Sequence, residues 1–476
     1  MYDVAIIGCG IMGAASAYYL SRYNLKIAIL EKHNDICCET TRANSAIIHA
    51  GYDPKPGSLC AKFNVHGTEL AKEICEKLDV AYKQIGSLVV AFSEDEAKTV
   101  KELYERGVTN GVPGLRIVEK DELFKMEPNL SEKAVCALYA PTAAIVNPWE
   151  YGIAMTETAV KNGAELFLNS EVTAAERTDD SWRITAGGRE FDAKYVINAA
   201  GVYSDDIHNL VAEPEFTITP KGGEYYLLDK SEGTRVNHII FQCPNEAGKG
   251  VLVAPTVHGN LIVGPNSVTS AKDDTSTRTS SLDFVRAAAT KSVPSIQFRE
   301  NIRNFTGVRA NNDRDDFTIK LAAKGFVDLA GIKSPGLSAA PAIAEYAIYL
   351  LGTEGLPLEE KADFIDERKH IRFKHLSAEE KNRLISQNSA YGRVICRCET
   401  ITEGEIIDAL NSPIPPVSLD GIKRRAGTGM GRCQGGFCGP KVLEIIAKHK
   451  GVEFEDVLQD DTGSYILTGE TKKGGC

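Results

Sequence analysis

The glycine-rich turn near the start of the chain constrains the fold more than any other feature. The apolar run from Tyr2 to Ile7 predicts a strand, and Gly8-Cys9-Gly10-Ile11-Met12-Gly13 follows it directly. The next residues have the apolar spacing of a helix, and a second apolar run ends at Leu30. Because parallel strands need a crossover of this kind, the sequence predicts a β-α-β unit. Glu31 follows the second strand at the distance that dinucleotide-binding folds use.

Each residue of this motif has a physical role. Gly8 allows the tight turn, Gly10 lets the backbone approach a pyrophosphate at the helix N-terminus, and Gly13 lets helix and strand pack closely. The carboxylate of Glu31 is expected to accept hydrogen bonds from ribose hydroxyls, and an acid at this position disfavours the 2′-phosphate of NADP. FAD and NAD share the pattern, so the motif alone does not decide between them.

Composition excludes several classes of protein. The chain has 476 residues and a net charge of −11, which argues against nucleic acid as a partner. The sequence contains no apolar run of about 18 residues, and Met1-Tyr2-Asp3 lacks the basic start of a signal peptide. We therefore expect a cytoplasmic protein that reaches the inner face of the membrane only through a partner.

The predicted fold class combines α/β and α+β architecture. We expect a Rossmann-like nucleotide-binding domain interleaved with a mixed-sheet substrate domain, followed by a small C-terminal four-cysteine module. The predicted boundaries are 1–354 for the first two domains (nucleotide-binding parts about 1–80, 148–215 and 301–354, substrate-domain parts about 81–147 and 216–300), 355–388 for a linker, 389–452 for the module and 453–476 for a loose tail.

The segment from Thr40 to Pro54, with its Ser-x-x-x-His-Ala-Gly pattern, resembles the flavin-contacting stretch of FAD-dependent oxidoreductases related to D-amino-acid oxidase. Within that superfamily it is most similar to FAD-dependent glycerol-3-phosphate dehydrogenases and oxidases and to L-2-hydroxyglutarate-oxidising enzymes. Three later segments extend the resemblance over residues 1–352: 198–201, 220–225 and 331–341. The resemblance therefore implies that the cofactor is FAD.

The resemblance also implies which residues contact FAD. The final strand-turn-helix unit is expected to present backbone N–H groups of Gly336 and Leu337 to the flavin ring. Beside the glycines of the first turn and Glu31, the candidate contacts are Ile11, Met12, Lys32, Thr41, Asn44, Ser45, Ile48, Val172, Ala200, Gly201, Gly307, Gly336, Leu337 and Ser338.

Oxidation of a secondary alcohol requires a base for the hydroxyl proton while a hydride leaves the carbon. A neutral imidazole suits this task, and His49 is the candidate, as the resemblance implies. The resemblance also assigns Arg309 to the grip on an anionic substrate, which a planar guanidinium favours. Lys333 and Ser334 are further candidates for substrate contact, as is His258, each with a purely structural alternative.

Four cysteines near the C-terminus require a separate explanation. Cys396, Cys398, Cys433 and Cys438 suit either a [2Fe–2S] cluster or a structural zinc ion. Their C-x-C and C-x-x-x-x-C spacing, with a glycine-rich stretch at 427–431, resembles the bacterioferritin-associated-ferredoxin-like [2Fe–2S] domain. We therefore expect a cluster there, and leave Cys37, Cys38 and Cys476 without a role.

Together these features resemble the catalytic subunit of anaerobic glycerol-3-phosphate dehydrogenases. The resemblance implies oxidation of sn-glycerol 3-phosphate to dihydroxyacetone phosphate by FAD, with electrons leaving through the cluster. The expected acceptor is a second flavoprotein, an electron-acceptor subunit or a quinone-linked membrane partner. Two alternatives stay open: oxidation of L-2-hydroxyglutarate or another 2-hydroxy acid, and a non-catalytic electron-transfer subunit.

Overall fold

The computed structural model describes residues 1–244 and 250–469. Its strands are β1 (Tyr2–Ile7), β2 (Ile27–Leu30), β3 (Ile47–Ile48), β4 (Tyr82–Gln84), β5 (Ser87–Ala91), β6 (Arg116–Glu119), β7 (Cys136–Ala140), β8 (Ala144–Val146), β9 (Glu165–Phe167), β10 (Val172–Arg177), β11 (Trp182–Ala186), β12 (Arg189–Asn198), β13 (Lys221–Leu228), β14 (Ile239–Gln242), β15 (Leu252–Pro255), β16 (Leu261–Gly264), β17 (Val268–Thr269), β18 (Asn301–Arg309), β19 (Thr318–Ala323), β20 (Phe326–Ala330), β21 (Val394–Cys396) and β22 (Ile401–Thr402). Its α-helices are α1 (Ile11–Leu20), α2 (Leu59–Lys77), α3 (Glu94–Thr109), α4 (Lys120–Met126), α5 (Pro148–Lys161), α6 (Ser204–His208), α7 (Thr279–Ser292), α8 (Gly336–Thr353), α9 (Ala378–Gln387), α10 (Glu403–Leu410), α11 (Leu419–Ala426) and α12 (Gly439–Lys450).

The first sheet carries the glycine-rich turn. β1 lies at its centre and pairs in parallel with β2 on one side and β12 on the other, and β12 also pairs in parallel with β20. Apolar residues of β1, β2 and β20 pack on one face of this sheet against α1, α2, α5 and α8 to form the main core. The predicted β-α-β unit is confirmed, and the apolar end of β12 returns the chain to the same sheet beside β1.

The second sheet forms the substrate domain. Its strand order is β17-β13-β16-β15-β14-β5-β7-β6, with β18 paired to β13. Its strands come from separate stretches of sequence, so the predicted interleaving of two domains is confirmed. The turn at 257–260, with its Gly-Asn pair between two apolar runs, favours a hairpin, and β15 and β16 pair across it in antiparallel fashion.

One predicted boundary shifts. Residues 301–309 were expected in the nucleotide-binding part, yet β18 pairs along the length of β13 in the second sheet. The sequence of residues 301–309 fits a strand of either sheet, and only the pairing with β13 shows which sheet the strand joins. The nucleotide-binding part therefore resumes after Arg309, with β19 and β20 in the first sheet.

The segment at 355–388 is not a free tether. Arg368 donates from Nε to Glu157 of α5 at 2.8 Å, and both side chains are buried. Arg372 pairs with Glu150 and Asp79 at 2.6 and 2.8 Å. These charged residues, which suggested exposure in the sequence, anchor the segment to the first domain instead.

The described residues of the predicted loose tail, 453–469, pack against the C-terminal module. Leu458 forms β-bridges with Ser418 and Tyr465, and Asp460 forms an ion pair with Arg424 at 3.0 Å. The C-terminal module thus includes residues beyond 452, around a small core of α10, α11 and α12. Across the described parts of the chain, every helix is too short or too polar to cross a bilayer.

Candidate functional site

A groove of about 1640 Å³ is lined by residues from both large sheets. It begins at the carboxyl end of β1, where a helix N-terminus and the glycine turn meet, as in other doubly wound sheets. Most of the predicted cofactor contacts line this groove: Gly8, Gly10, Ile11, Met12, Glu31, Lys32, Thr41, Asn44, Ser45, Val172, Ala200, Gly201, Gly307, Gly336 and Leu337.

The glycines of the first turn are required by close approach. A Cβ added to Gly13 would lie 2.0 Å from the carbonyl oxygen of Gly8, so α1 could not pack against the turn. Gly8 itself has a φ of +92°, which favours glycine. A Cβ on Gly10 would meet only the Thr41 hydroxyl, at 3.2 Å, so at this position a side chain would project toward the ligand space instead of a neighbouring strand.

Glu31 closes the nucleotide end of the groove. Its two carboxylate oxygens accept hydrogen bonds from the backbone N–H groups of Cys9 and His33 at 2.7 and 3.0 Å. Burial raises the pKa of Glu31, and these two N–H groups partly offset the effect. Each carboxylate oxygen has a second lone pair, so the side chain can still accept from a ribose hydroxyl.

Three predicted cofactor contacts are not on the groove wall. Ile48 is fully buried in the main core, because alternate residues of a strand face opposite sides and its neighbours Ile47 and His49 take the groove side. Gly13 acts through packing behind the turn. Ser338 is also fully buried, and its hydroxyl accepts a hydrogen bond from the backbone N–H of His49 at 2.7 Å.

His49 faces the groove from a tightly held backbone. Its carbonyl oxygen accepts hydrogen bonds from Asn64 Nδ2 and Thr68 Oγ1, both at 2.7 Å. Its ring stacks on Phe241 with a centroid separation of 5.6 Å, and its Nε2 lies 3.3 Å from the hydroxyl of Ser334. The structure thus brings together two residues, His49 and Ser334, that lie almost three hundred positions apart in sequence.

Arg309 lines the same groove and is held by backbone carbonyl groups. Its Nη2 donates to Asn266 and Gly222 at 2.6 and 3.1 Å, and its Nε donates to Lys221 at 3.4 Å. Burial lowers the pKa of the guanidinium, which nevertheless remains far above neutrality. A fixed, largely desolvated cation of this kind suits an anionic ligand.

Sequence reasoning missed part of the groove wall. Tyr225 contributes its ring and a hydroxyl 3.0 Å from Ser45 Oγ, and Phe241 supplies the surface on which His49 stacks. Tyr225 lies in a segment that carried the family resemblance, but Phe241 reads as an ordinary strand residue. Lys333 lines the groove beside Ser334, as expected for a substrate contact.

His258 lies outside the groove. Its Nε2 is 3.2 Å from Asn147 Nδ2, in the turn between β15 and β16. Desolvation of the ring lowers the pKa of His258 to about 4, so the ring is neutral near pH 7 although the residue as a whole is exposed. The structure therefore separates His258 from the other candidate substrate contacts and gives it a packing role.

The four cysteines of the C-terminal module lie in two adjacent pairs. The Sγ atoms of Cys398 and Cys433 are 3.6 Å apart, and the Cys396 and Cys438 thiols hydrogen-bond to each other. Within the described residues no three His, Cys, Asp or Glu side chains already converge as a metal site, consistent with this two-by-two pairing. A Cβ on Gly431 would lie 2.3 Å from Cys398 Cβ, so the glycine-rich stretch lets the two cysteine loops meet.

Backbone N–H groups point at the sulfur atoms. The hydrogen bond with Cys438, followed by the N–H groups of Gly429 and Glu399, lowers the pKa of Cys396 to about 6. The N–H of Phe437 and the Cys398 thiol lower the pKa of Cys433. The pKa values of their partners are raised: that of Cys438 chiefly by the hydrogen bond with Cys396, and that of Cys398 despite the N–H of Cys433, by the hydrogen bond with the Cys433 thiol and by burial. Four cysteine sulfurs beside backbone N–H donors are the donor set that an iron–sulfur cluster requires, so these residues fit such a cluster.

Comparisons with known proteins agree with this geometry. Residues 3–350 match the family of FAD dependent oxidoreductases, and residues 394–448 match the BFD-like [2Fe-2S] binding domain. The chain is 49% identical to the glycerol 3-phosphate dehydrogenase of Caloramator mitchellensis, over 99% of each chain. It is 34% identical to the human mitochondrial L-2-hydroxyglutarate dehydrogenase, over 57% of this chain and 62% of that one.

A solved structure also matches. The FAD-bound, dithionite-reduced L-alpha-glycerophosphate oxidase of Mycoplasma pneumoniae superposes with a TM-score of 0.74 at 31% identity, over 78% of this chain and 99% of that chain. The FAD and [2Fe–2S] cofactors inferred from the sequence are therefore confirmed, and zinc is set aside. The chain belongs to the FAD dependent oxidoreductase family and carries a BFD-like [2Fe–2S] binding domain at its C-terminal end.

Proposed function

We propose that the chain is a dehydrogenase that oxidises sn-glycerol 3-phosphate to dihydroxyacetone phosphate. The observation that carries the proposal is one groove in which His49, Ser334 and the cationic residues Arg309 and Lys333 come together. The full-length similarity to a glycerol 3-phosphate dehydrogenase supports this substrate. The 2-hydroxyglutarate relative matches a smaller part of the chain, which makes a 2-hydroxy acid the second candidate.

Each residue has a distinct task in this proposal. Bound FAD supplies the hydride acceptor. His49 takes the substrate hydroxyl proton at Nε2, and the 3.3 Å contact of that nitrogen with the Ser334 hydroxyl gives way to the substrate hydroxyl. Arg309, fixed by three carbonyl groups, and Lys333 bind the phosphate and so place the carbinol carbon. In this proposal Ser338 positions His49 through the backbone N–H.

Anaerobic mixing of the purified chain with single substrates tests the proposal. We expect sn-glycerol 3-phosphate to bleach the flavin at least about a hundredfold faster than L-2-hydroxyglutarate, because the groove is built for one anion and one carbinol. Glycerol serves as the control that lacks the phosphate. Faster bleaching by L-2-hydroxyglutarate would favour the 2-hydroxy acid reading, and no bleaching by either would favour a non-catalytic subunit.

The surface of the C-terminal module next to the cluster cysteines is exposed, so an electron acceptor can approach the cluster there. Cys398 is exposed, Cys433 is partly exposed, and Phe437 beside them exposes 82% of its surface. We propose that electrons leave here to a separate acceptor: a second flavoprotein, an acceptor subunit or a quinone-linked membrane partner. In that arrangement the chain lies in the cytoplasm and reaches the inner face of the membrane only through the partner.

Replacement of one cluster ligand tests the electron route. We expect Cys398→Ser to keep substrate-driven bleaching of the flavin and to lose the low-temperature EPR signal of a reduced [2Fe–2S] cluster, because the first half-reaction occurs in the other domain. Cys75→Ser, at a buried cysteine of α2, is the matched control and should keep both signals. Loss of bleaching in a folded Cys398→Ser protein would contradict the separation of the two steps.

A further inference from the structure

We propose that the C-terminal module is a working part of the FAD site, because its arginine pair Arg424 and Arg425 holds the loop that lines the nucleotide end of the groove. The nucleotide loop, residues 31–46, connects β2 to β3. If the proposal holds, FAD affinity depends on the docked module. The inference concerns cofactor retention and is independent of which alcohol the enzyme oxidises.

The nucleotide loop has two sides with different neighbours. On its inner side Glu31, Lys32, Thr41 and Asn44 line the groove. Thr41 Oγ1 also accepts a hydrogen bond from Ile11, the first residue of α1, at 2.9 Å. The shape of the loop therefore sets both the groove wall and its contact with the helix N-terminus that faces a pyrophosphate.

On its outer side the loop forms ion pairs with α11. The Asp35 carboxylate is 1% exposed. Its Oδ1 accepts a hydrogen bond from Arg425 Nη2 at 2.8 Å, and its Oδ2 accepts one from Arg425 Nη1 at 2.9 Å. Arg424 Nη2 donates to Oδ2 at 2.7 Å. Burial alone would raise the pKa of Asp35, but the two guanidinium groups hold it well below its usual range.

Residues near the end of the module form a second set of contacts with the nucleotide loop. Asp460 forms an ion pair with Arg42 of the nucleotide loop and a further pair with Arg424 at 3.0 Å. Asn34 Nδ2 donates to the Asp460 carbonyl oxygen at 2.9 Å, and the His33 ring contacts Asp461. Two acids, Asp35 and Asp460, and three arginines, Arg42, Arg424 and Arg425, thus form one ion-pair network across the domain boundary, buried at Asp35, Arg424 and Arg425.

Such a network makes docking all-or-none. An unpaired buried charge is strongly destabilising, so Asp35 and the two arginines that bind it stabilise one another only while the module is docked. α11 ends at Gly427, and the N–H of Gly429 just beyond it reaches the sulfur atoms of Cys396 and Cys438. The helix that binds the nucleotide loop is therefore continuous with the loop that surrounds the cluster. If cluster binding strengthens FAD binding through this helix, FAD binding must strengthen cluster binding by the same factor.

The test measures the FAD dissociation constant of the FAD-free full chain by quenching of flavin fluorescence, without substrate. We expect Asp35→Asn to raise this constant at least about tenfold, because the loop must then be ordered by FAD itself. The matched control is Asp229→Asn, which removes the carboxylate that pairs with Arg432 of the module at 2.6 Å and leaves the nucleotide loop untouched. We expect the control to stay within about twofold of the parent chain.

Two milder variants cover the case in which Asp35→Asn does not fold. Arg42→Ala and Asp460→Asn each remove the partly exposed pair on the loop, and each should weaken FAD binding about threefold or more. Amide hydrogen exchange at residues 33–42 should rise in the same variants. Unchanged FAD affinity in folded Asp35→Asn, or in both milder variants, would overturn the proposal. Equal weakening by Asp229→Asn would also overturn it, because the loop contact would then have no special role.

Discussion

His49 shows how single residues acquire their role from their surroundings. The main-chain atoms of this residue are bound by Ser338, Asn64 and Thr68, and its ring is stacked on Phe241. A base must sit within hydrogen-bond reach of the proton that it removes, so the rigidity of the backbone at this position matters as much as the imidazole. The neighbours come from α2, α8 and the second sheet.

We expect His49→Gln to lower the rate of flavin reduction at saturating sn-glycerol 3-phosphate by about 10² to 10⁴-fold, the usual scale for a positioned base. Rapid mixing under anaerobic conditions measures this rate. His66→Gln, at a histidine of α2 whose ring binds the exposed Glu345, is the control and should reduce at the parent rate. A His49 variant that reduces its flavin normally would direct attention to another group in the groove.

Substitution of the two cationic residues of the groove should have different effects on substrate binding and on stability. Arg309 is bound to three backbone carbonyl groups, so Arg309→Ala loses substrate binding and also leaves buried acceptors without a donor. Lys333 lies in a turn, so Lys333→Ala should raise KM with little change in thermal stability. Steady-state kinetics together with thermal unfolding separates the two outcomes. Equal loss of stability in both variants would contradict this assignment.

At the scale of secondary-structure elements, the first turn is a contact between β1, α1 and β12. Gly13 allows α1 to lie against the Gly8 carbonyl group, and Gly8 allows the turn to lie against Ala199 at the end of β12. Gly8 and Gly13 therefore allow close packing around the turn, whereas Gly10 leaves space for the ligand.

This division predicts two distinct defects. Gly13→Ala places a Cβ 2.0 Å from the Gly8 oxygen, so we expect α1 to be displaced and the free energy of unfolding to fall by about 2 kcal/mol or more. Gly10→Leu should fold with near-parental stability and yet purify without yellow colour. Chemical denaturation and flavin content measure the two effects. Retention of full flavin content by Gly10→Leu would contradict the placement of the pyrophosphate.

At the scale of the whole molecule, His258 lies where the substrate domain, the first domain and the C-terminal module meet. It contacts Asn147, and the charges of Glu150, Lys374 and Glu399 reach it from the other units. Desolvation of the ring lowers its pKa to about 4, below the ordinary value of about 6.5, although the residue as a whole is exposed. The unfolded chain therefore binds a proton in a range of pH where the folded chain does not.

The sign of the pH effect follows from this difference. The contribution of neutral His258 is fully present above about pH 6.5 and is lost as pH falls toward 4. We expect the parent chain to lose more stability than His258→Gln between about pH 7 and pH 5, by about 1 kcal/mol or less, because His258 is exposed and solvent screens much of the effect. Denaturant unfolding at the two pH values measures the difference. Parallel losses in the two proteins would show that the pKa of the ring is not lowered in the folded chain.

Local sequence determined a large part of this protein. The glycine turn with its β-α-β unit, the hairpin turn at 257–260 and the pairs of cysteines each depend on residues that are close in sequence, so they could be predicted from it. Pairing of β18 with β13, burial of Ile48, the position of His258 and the packing of residues 453–469 depend on partners far along the chain. Only the tertiary structure decides these, because a strand or a charged segment carries no local signal of what it will contact. The contact of Asp35 with Arg424 and Arg425 is the clearest case: three charged residues that read as exposed in the sequence are buried because they neutralise one another across two domains.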